Sequence, residues 1–342
     1  MRGRPREKIW VVRPKDGDVV ADIVRRAGES AAAIHEGRVF VGKKRVTRAD
    51  EAVRVGDTVR IGPARATGPS TPAPAIDILF QGKGLVACMK PAGLPTVPDL
   101  AGASHSLVAL VANAIGEKAG NIRVTSRLDR DVSGVVVFAL DAATEERLRR
   151  ARAEGRYRRR YIALASLTAG TMGDEGVWDA PIGRAEGDAR LRRARGPEAK
   201  VAVTRWRRVA TASGRANVST SSRAPLETKD VALLAVDPVT GRTHQIRIHA
   251  SDAGAPLVGD RDYGGATRIV LEDGRILAPT RIALHAARVA VPGHDGELEL
   301  RAPVPDELVA IWSSLGGAPD AWIEAIASET PRSSTPLRDD DL

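Results

Sequence analysis

Residues 126–140 read SRLDRDVSGVVVFAL. The second half, a run of Val, Phe, Ala and Leu, has the β-branched bias of a strand that can be buried. Just before it, Arg127, Asp129, Arg130 and Asp131 put four charges into five residues, followed by a Ser-Gly pair. Two explanations fit: the charges are the solvated end of a core strand, or the loop holds a reactive carboxylate.

Outward from this stretch, strands and helices follow without a repeat. On its C-terminal side, DAATEERLRRARAEG predicts a helix capped by Asp141, with Glu145 and Glu146 early and a basic second half ending at Gly155. RYRRRYIALASL then returns to strand, and VALLAVDPVTGRTHQIRIHASDAG predicts a strand, a turn, a second strand and a helix start. On the N-terminal side, IDILFQGKGLVACMKPAGLPTVP gives two strands and a Pro-Gly turn, and HSLVALVANAIG has helical periodicity. Adjacent strands with intermittent helices predict an α+β architecture rather than regular β-α-β alternation.

Composition sets the boundaries. PARATGPSTPAPA, residues 63–75, lacks the apolar residues of a core and reads as a linker. It separates a small unit, 1–62, from a large one, 76–315. Beyond that, 316–342 is expected to hold a terminal helix in APDAWIEAIASE and a disordered tail. In the small unit a helix leads into VFVGKKRV, where Val39 and Val41 alternate and GKK turns, and VGDTVRI closes as a further strand.

The 342 residues carry a net charge of +9, which favours a polyanionic partner, nucleic acid before an anionic membrane. No apolar run reaches the ~18 residues of a membrane span, and MRGRPREK leads into no signal core, so a cytoplasmic location is expected. The lone Cys88 sits in an apolar run and reads as packing. Phosphate-loop, dinucleotide and metalloprotease motifs are missing. Of six histidines only His244 and His249 are close, and in a strand they face opposite sides, which builds no zinc site.

What remains is charge at strand ends. In the expected strand HQIRIH, Gln245, Arg247 and His249 share one face, and Ile246 and Ile248 the other. An arginine there suits a bidentate pair with a carboxylate such as Asp129, either to hold a nucleophile or base or merely to satisfy both charges at a seam.

These segments together resemble the RluA-type RNA pseudouridine synthases. SRLDRDVSG is similar to that family's H-R-L-D-x-x-T-S-G motif, with Ser126 in place of His and Val132 in place of Thr. KPAGLPTVP, RRYIALAS, GRTHQIRIHAS, PLVGDRDYGG, and the closing LHAARVAVPG and RAPVPDEL also match in order. The resemblance implies a mixed, largely antiparallel central sheet with flanking helices, and uridine isomerisation without cofactor or metal. It implies Asp129 as the catalytic aspartate, Tyr161 as the tyrosine that packs on the base, and Arg247 as the aspartate's partner. Asp131 in the same loop is read as an anchor, Asp260 and Tyr263 as loop-shaping, and Gly134 and Gly241 as turn residues.

The N-terminal unit resembles the RNA-binding module named after ribosomal protein S-four, over most of residues 15–61. Residues expected to meet RNA are Arg127, Arg130, Arg242, His244 and Gln245, with Arg38, Lys43 and Lys44 of the small module. Arg25, Arg26 and Arg45 add to its basic surface. Structured RNA is the expected partner, ribosomal RNA before transfer RNA, with the protein a monomer. An inactive RNA-binding protein of the same fold and a different carboxylate-dependent glycosidase remain as alternatives.

Overall fold

The computed structural model describes residues 8–35, 39–42, 44–46, 48–62, 75–98, 106–167, 172–188, 191–212, 216–221, 224–293, 296–328 and 330. The chain divides into two compact units, Met1–Ala75 with Pro98–Ser106, and Ile76–Val97 with Leu107–Leu342. Residues 63–74 of the expected linker and 331–342 of the expected tail lie outside the described residues.

In the first unit the strands Lys8–Val11, Val39–Val41, Lys44–Arg45 and Thr58–Ile61 form one antiparallel sheet, with Thr58–Ile61 pairing both Lys8–Val11 and Val39–Val41. Gly42, at φ 58°, makes the tight hairpin turn that GKK anticipates. The helix Val20–Arg26 places Val20, Ile23 and Val24 at helical spacing on a core shared with Ile34, Val59 and Ile61. The opening strand Lys8–Val11 is not anticipated: Ile9 and Val11 are exposed, so it lacks the half-buried alternation that marks a strand.

In the second unit a long sheet runs through Glu227–Pro238, Arg158–Leu167, Leu284–Pro292, Ser133–Ala139, Leu85–Lys90 and Ile78–Gly82. Every pairing along it is antiparallel except Leu284–Pro292 against Ser133–Ala139. The 133–139 strand is buried at every residue because both faces are covered. One face packs Val136, Phe138, Ala163 and Val236 under the helices Leu107–Ala114 and Gln245–Asp252. The other packs Ile162, Leu164 and Leu233 under the helices Asp306–Ser314 and Ala321–Ala327, and Val135 and Val137 beneath the helix Ala142–Ala153. The Ala142–Ala153 helix begins where its cap predicts, with the Thr144 amide donating to Asp141 Oδ1 at 2.7 Å. Cys88 is buried in the core, its thiol pushed up to about 12 by burial.

Three readings need correction. HQIRIH is not a strand: Gln245–Asp252 is a helix, entered through His244 at φ 57°. The alternating pattern misleads because apolar and polar residues alike are buried, so no solvent face marks the period. In the helix, Gln245 and His249 meet one partner four residues apart, both bonding Thr204 Oγ1, at 2.9 and 2.8 Å. Gly134 is a strand residue rather than a turn: at φ 126° it lies against the neighbouring strand, where a Cβ would sit 2.3 Å from the Ala286 carbonyl oxygen. Finally, the helix Ala321–Ala327 belongs to the core of this unit, with Trp322 buried against Trp312 at 6.1 Å between ring centroids.

Candidate active site

Asp129 lies in the turn before the buried strand, closed by the Val132 amide donating to the Asp129 carbonyl at 3.2 Å. Polar tethers fix both sides of it. Thr96 Oγ1 donates to the Leu128 carbonyl at 2.8 Å and accepts the Leu128 amide at 3.1 Å. Lys90 Nζ, on a side chain with no exposed surface, donates to the carbonyls of Val132, Arg130 and Pro91 at 2.7, 2.8 and 2.9 Å. Burial pulls the Lys90 ammonium down to about 7, opposed by Asp131 and then Asp129. Three carbonyl acceptors call for three N–H donors, which the ammonium has and the neutral amine lacks. The sequence reading assigned neither Lys90 nor Thr96 a role, although both stand in KPAGLPTVP; the available signal was a lysine ending the apolar strand LVACMK.

The Asp129 side chain is 27% exposed, and its Oδ2 accepts one N–H from Arg247 Nη1 at 3.1 Å. The bidentate partner of Arg247 is not Asp129 but Asp260, which is fully buried and accepts from Nε at 2.7 Å and Nη2 at 2.8 Å. Asp262 takes a further bond from Nη2 at 2.8 Å. Burial alone would lower this guanidinium, but the Asp260 pair outweighs it and holds the group above its ordinary range. Four of the five N–H groups of Arg247 are thus engaged, three by Asp260 and Asp262, and Nη1 presents one donor to Asp129. Asp260 shapes its own loop by accepting the amides of Asp262 and Tyr263 at 3.2 and 3.3 Å.

The Tyr263 ring lies 4.8 Å from the Arg247 guanidinium carbon, and its hydroxyl meets His244 Nδ1 at 2.8 Å. That oxygen also accepts the Arg192 amide at 3.2 Å. Burial lowers the His244 imidazole below its usual value, keeping it neutral at pH 7. The other ring nitrogen, Nε2, lies 3.9 Å from Asp129 Oδ2. Tyr161, on the Arg158–Leu167 strand and nearly buried, lines the same cleft, and burial raises its phenol, so it stays protonated at neutral pH.

The cleft has a volume of about 80 Å3 and brings Asp129, Tyr161 and Arg247 together with Arg127, Arg242 and His244. Arg130 is not among its lining residues; its backbone carbonyl accepts Lys90 and the Gly93 amide. Gln245 does not offer its amide to RNA. Its oxygen accepts Thr240 Oγ1 and the Arg242 amide at 2.7 and 2.9 Å, and its nitrogen donates to the Val203 carbonyl and Thr204 at 2.9 Å each. It positions the start of the helix instead. Ser126 accepts the Tyr157 hydroxyl at 3.2 Å, and Val132 is buried in the core. Arg38 and Lys43 lie outside the described residues, and Lys44 stands in the strand Lys44–Arg45.

Residues 84–252 match the family model described as RNA pseudouridylate synthase. The RNA pseudouridine synthase YhcT of Bacillus subtilis is 30% identical over 237 residues, spanning 68% of this chain and 70% of that one. The ribosomal large subunit pseudouridine synthase D of Vibrio parahaemolyticus is 37% identical over 201 residues, 56% of this chain but only 55% of that relative's length. Among solved structures, human RNA pseudouridylate synthase domain containing 4 superposes with a TM-score of 0.50 at 26% identity, covering 70% of this chain and 92% of that one.

Proposed function

This chain belongs to the RNA pseudouridine synthase family, and from that premise we propose that the Asp129 cleft isomerises uridine to pseudouridine in ribosomal RNA. The observation that carries the reading is a part-exposed carboxylate held by a single N–H from an arginine that two further carboxylates, Asp260 and Asp262, fix through Nε and Nη2. Asp129 is the reacting group, Arg247 its orienting partner, and Tyr161 the face on which the base packs.

The reaction detaches uracil N1 from ribose C1′, turns the base, joins C5 to C1′ and releases the C5 hydrogen as a proton, so atoms and electrons balance without a redox partner. Glycosidic cleavage builds positive charge on the sugar and negative charge on the base. A fixed carboxylate beside C1′ and nearby N–H donors favour both. Asp129 acts either by adding to C1′ or by assisting removal of the C2′ proton to give a glycal. A stacked uracil is out of reach of this cleft, so the nucleotide enters flipped, at a cost of a few kcal/mol. Stacking on Tyr161 returns about 1–3 kcal/mol. The N-terminal unit, with its S-four-like order of helix and hairpin, adds a sequence-independent RNA contact.

Ribosomal RNA is preferred to transfer RNA because synthase D, 37% identical, is named for the large ribosomal subunit. The test is tritium release from RNA labelled at uracil C5, with unmodified ribosomal and transfer RNA offered separately to the wild type and to Asp129→Asn. Release from ribosomal RNA that disappears in the variant is expected. Equal release by both proteins would remove Asp129 from its role, and release from transfer RNA alone would reassign the substrate.

A further inference from the structure

A second cavity, larger than the Asp129 cleft, lies beside it. It measures about 520 Å3 and lies by the ends of the strands Arg158–Leu167, Thr204–Thr211, Glu227–Pro238 and Leu284–Pro292; Arg159 and Pro238 line both. Six arginines line it: Arg152, Arg158, Arg159, Arg160, Arg205 and Arg288. Its two carboxylates are already engaged, Asp237 by Arg160 at 2.6 and 2.7 Å and Glu154 by Arg156 at 2.7 Å. Arg158 and Arg288 pair with Glu297 and Glu299.

Three guanidiniums are left with no carboxylate among the described residues: Arg152, Arg159 and Arg205. Arg159 reaches only the carbonyls of Pro238 and Thr240, at 3.0 and 2.8 Å, and Arg152 stacks on Tyr157 at 4.9 Å. The Nε of each of the three is buried without a hydrogen-bond partner. Burial, and then the proximity of Arg159, lower Arg152 from its ordinary value, as expected for like charges crowded together. Half-buried cations facing a cavity whose two carboxylates are engaged by other arginines make a site that an anion completes. A planar fork of donors fits the oxygens of a phosphate.

We propose that this cavity binds a phosphate of the RNA backbone beside the target uridine, through Arg152, Arg159 and Arg205. The proposal rests on the reading of the protein as an RNA-modifying enzyme. Arg159, shared by the two cavities, couples the seated phosphate to the flipped base. Free inorganic phosphate or a nucleotide would offer the same chemistry, and the experiment separates these sources.

The variants are Arg152→Gln, Arg205→Gln and the pair together, with Arg275→Gln, an exposed arginine paired to Asp273, as the charge-loss control. Tritium release is measured against RNA concentration at several salt concentrations. The double variant is expected to raise KM by ~10-fold or more with kcat within about twofold. Its dependence of log KM on log salt should be shallower by roughly 0.7 for each lost single-strand contact. The control should match the wild type within about twofold. An unchanged KM and salt slope in the double variant would overturn the proposal, as would a loss confined to kcat. Millimolar inorganic phosphate that stabilises the wild type thermally but not the double variant, with KM and slope unmoved, would assign the cavity to a free anion instead. Fluorescence anisotropy with a labelled ribosomal RNA fragment reads the same slopes independently of turnover. A wild type that binds with the expected slope yet releases no tritium refutes the catalytic reading while leaving this one standing.

Discussion

A buried arginine and a group of half-buried ones lie within one domain and differ in their company. Arg247 has three carboxylates within hydrogen-bond reach, two of them consuming Nε and Nη2, and it turns a single donor to Asp129. Arg152, Arg159 and Arg205 line a larger cavity and have no carboxylate among the described residues. The residue type is the same, and the number of acids around it decides whether a guanidinium serves as scaffold or as an anion site. Three carboxylates hold Arg247 rigid and offset its charge. Shortage makes the other group receptive.

The largest effect should come from the carboxylate that the acid-paired arginine holds. Asp129→Asn is expected to lower tritium release by at least ~10³-fold with the thermal midpoint nearly unmoved, since one amide N–H facing Arg247 is a local change. Next comes Arg247→Leu, which strands the buried Asp260 and should destabilise the fold by about 3–5 kcal/mol in denaturant titrations. Adding Asp260→Asn should recover much of that stability and none of the activity. Recovery of both would make Arg247 a structural residue only.

His285 sharpens the comparison, because a buried imidazole can shed the charge that a guanidinium must keep. It is held by Ser133 Oγ at 2.8 Å, and burial, with Arg281 nearby, lowers it from 6.5 to about 4. The unfolded chain takes up the proton near 6.5, whereas the folded one does so only near 4. Stability is therefore complete above 6.5 and falls as pH drops through that window, by up to about 3 kcal/mol. Replacing His285 with Gln should flatten this part of a urea-unfolding pH profile; an unchanged slope would place the acid sensitivity elsewhere. Thr96→Val should cost about 1–3 kcal/mol by leaving the Leu128 amide and carbonyl without their partner. Its catalytic loss should exceed that of Ser166→Ala, whose hydroxyl bonds only the Pro256 carbonyl. The smallest effect is on stability at the unsaturated cavity: Arg152→Gln should leave the thermal midpoint level or slightly raised, because it relieves repulsion from Arg159.

Much of the second unit was legible because its signals are local. The Val135–Ala139 run, the Asp141 cap and the Tyr161 strand each carry their own pattern, and the structure places them accordingly. HQIRIH was misread because burial on all sides erases the contrast between faces on which periodicity depends. Asp129, Tyr161 and Arg247 were legible through motif resemblance, and the structure gathers them into one cleft. The division of Arg247 between Asp260 and Asp129 was not, because it depends on which of two acids lies in the plane of the guanidinium fork. Lys90 escaped notice because its three partners are backbone carbonyls, which no residue letter announces. The arginines of the basic cavity come from three strands and a helix, scattered between residues 152 and 288, with no common motif.

Arg160 holds a last consequence. Its guanidinium is clasped by Asp237 on one side and by the carbonyls of Ala325 and Ser328 on the other, positions 77, 165 and 168 residues further along. During synthesis the strand bearing Tyr161 leaves the ribosome long before the segment that completes this clasp. At roughly 5–20 residues per second the wait lasts on the order of ten seconds or more, during which a charged strand end and the apolar face awaiting Trp322 have no cover. Contacts this distant in sequence also slow the closing step of folding. The helix Ala321–Ala327 thus sets the moment at which this face of the nascent sheet is covered.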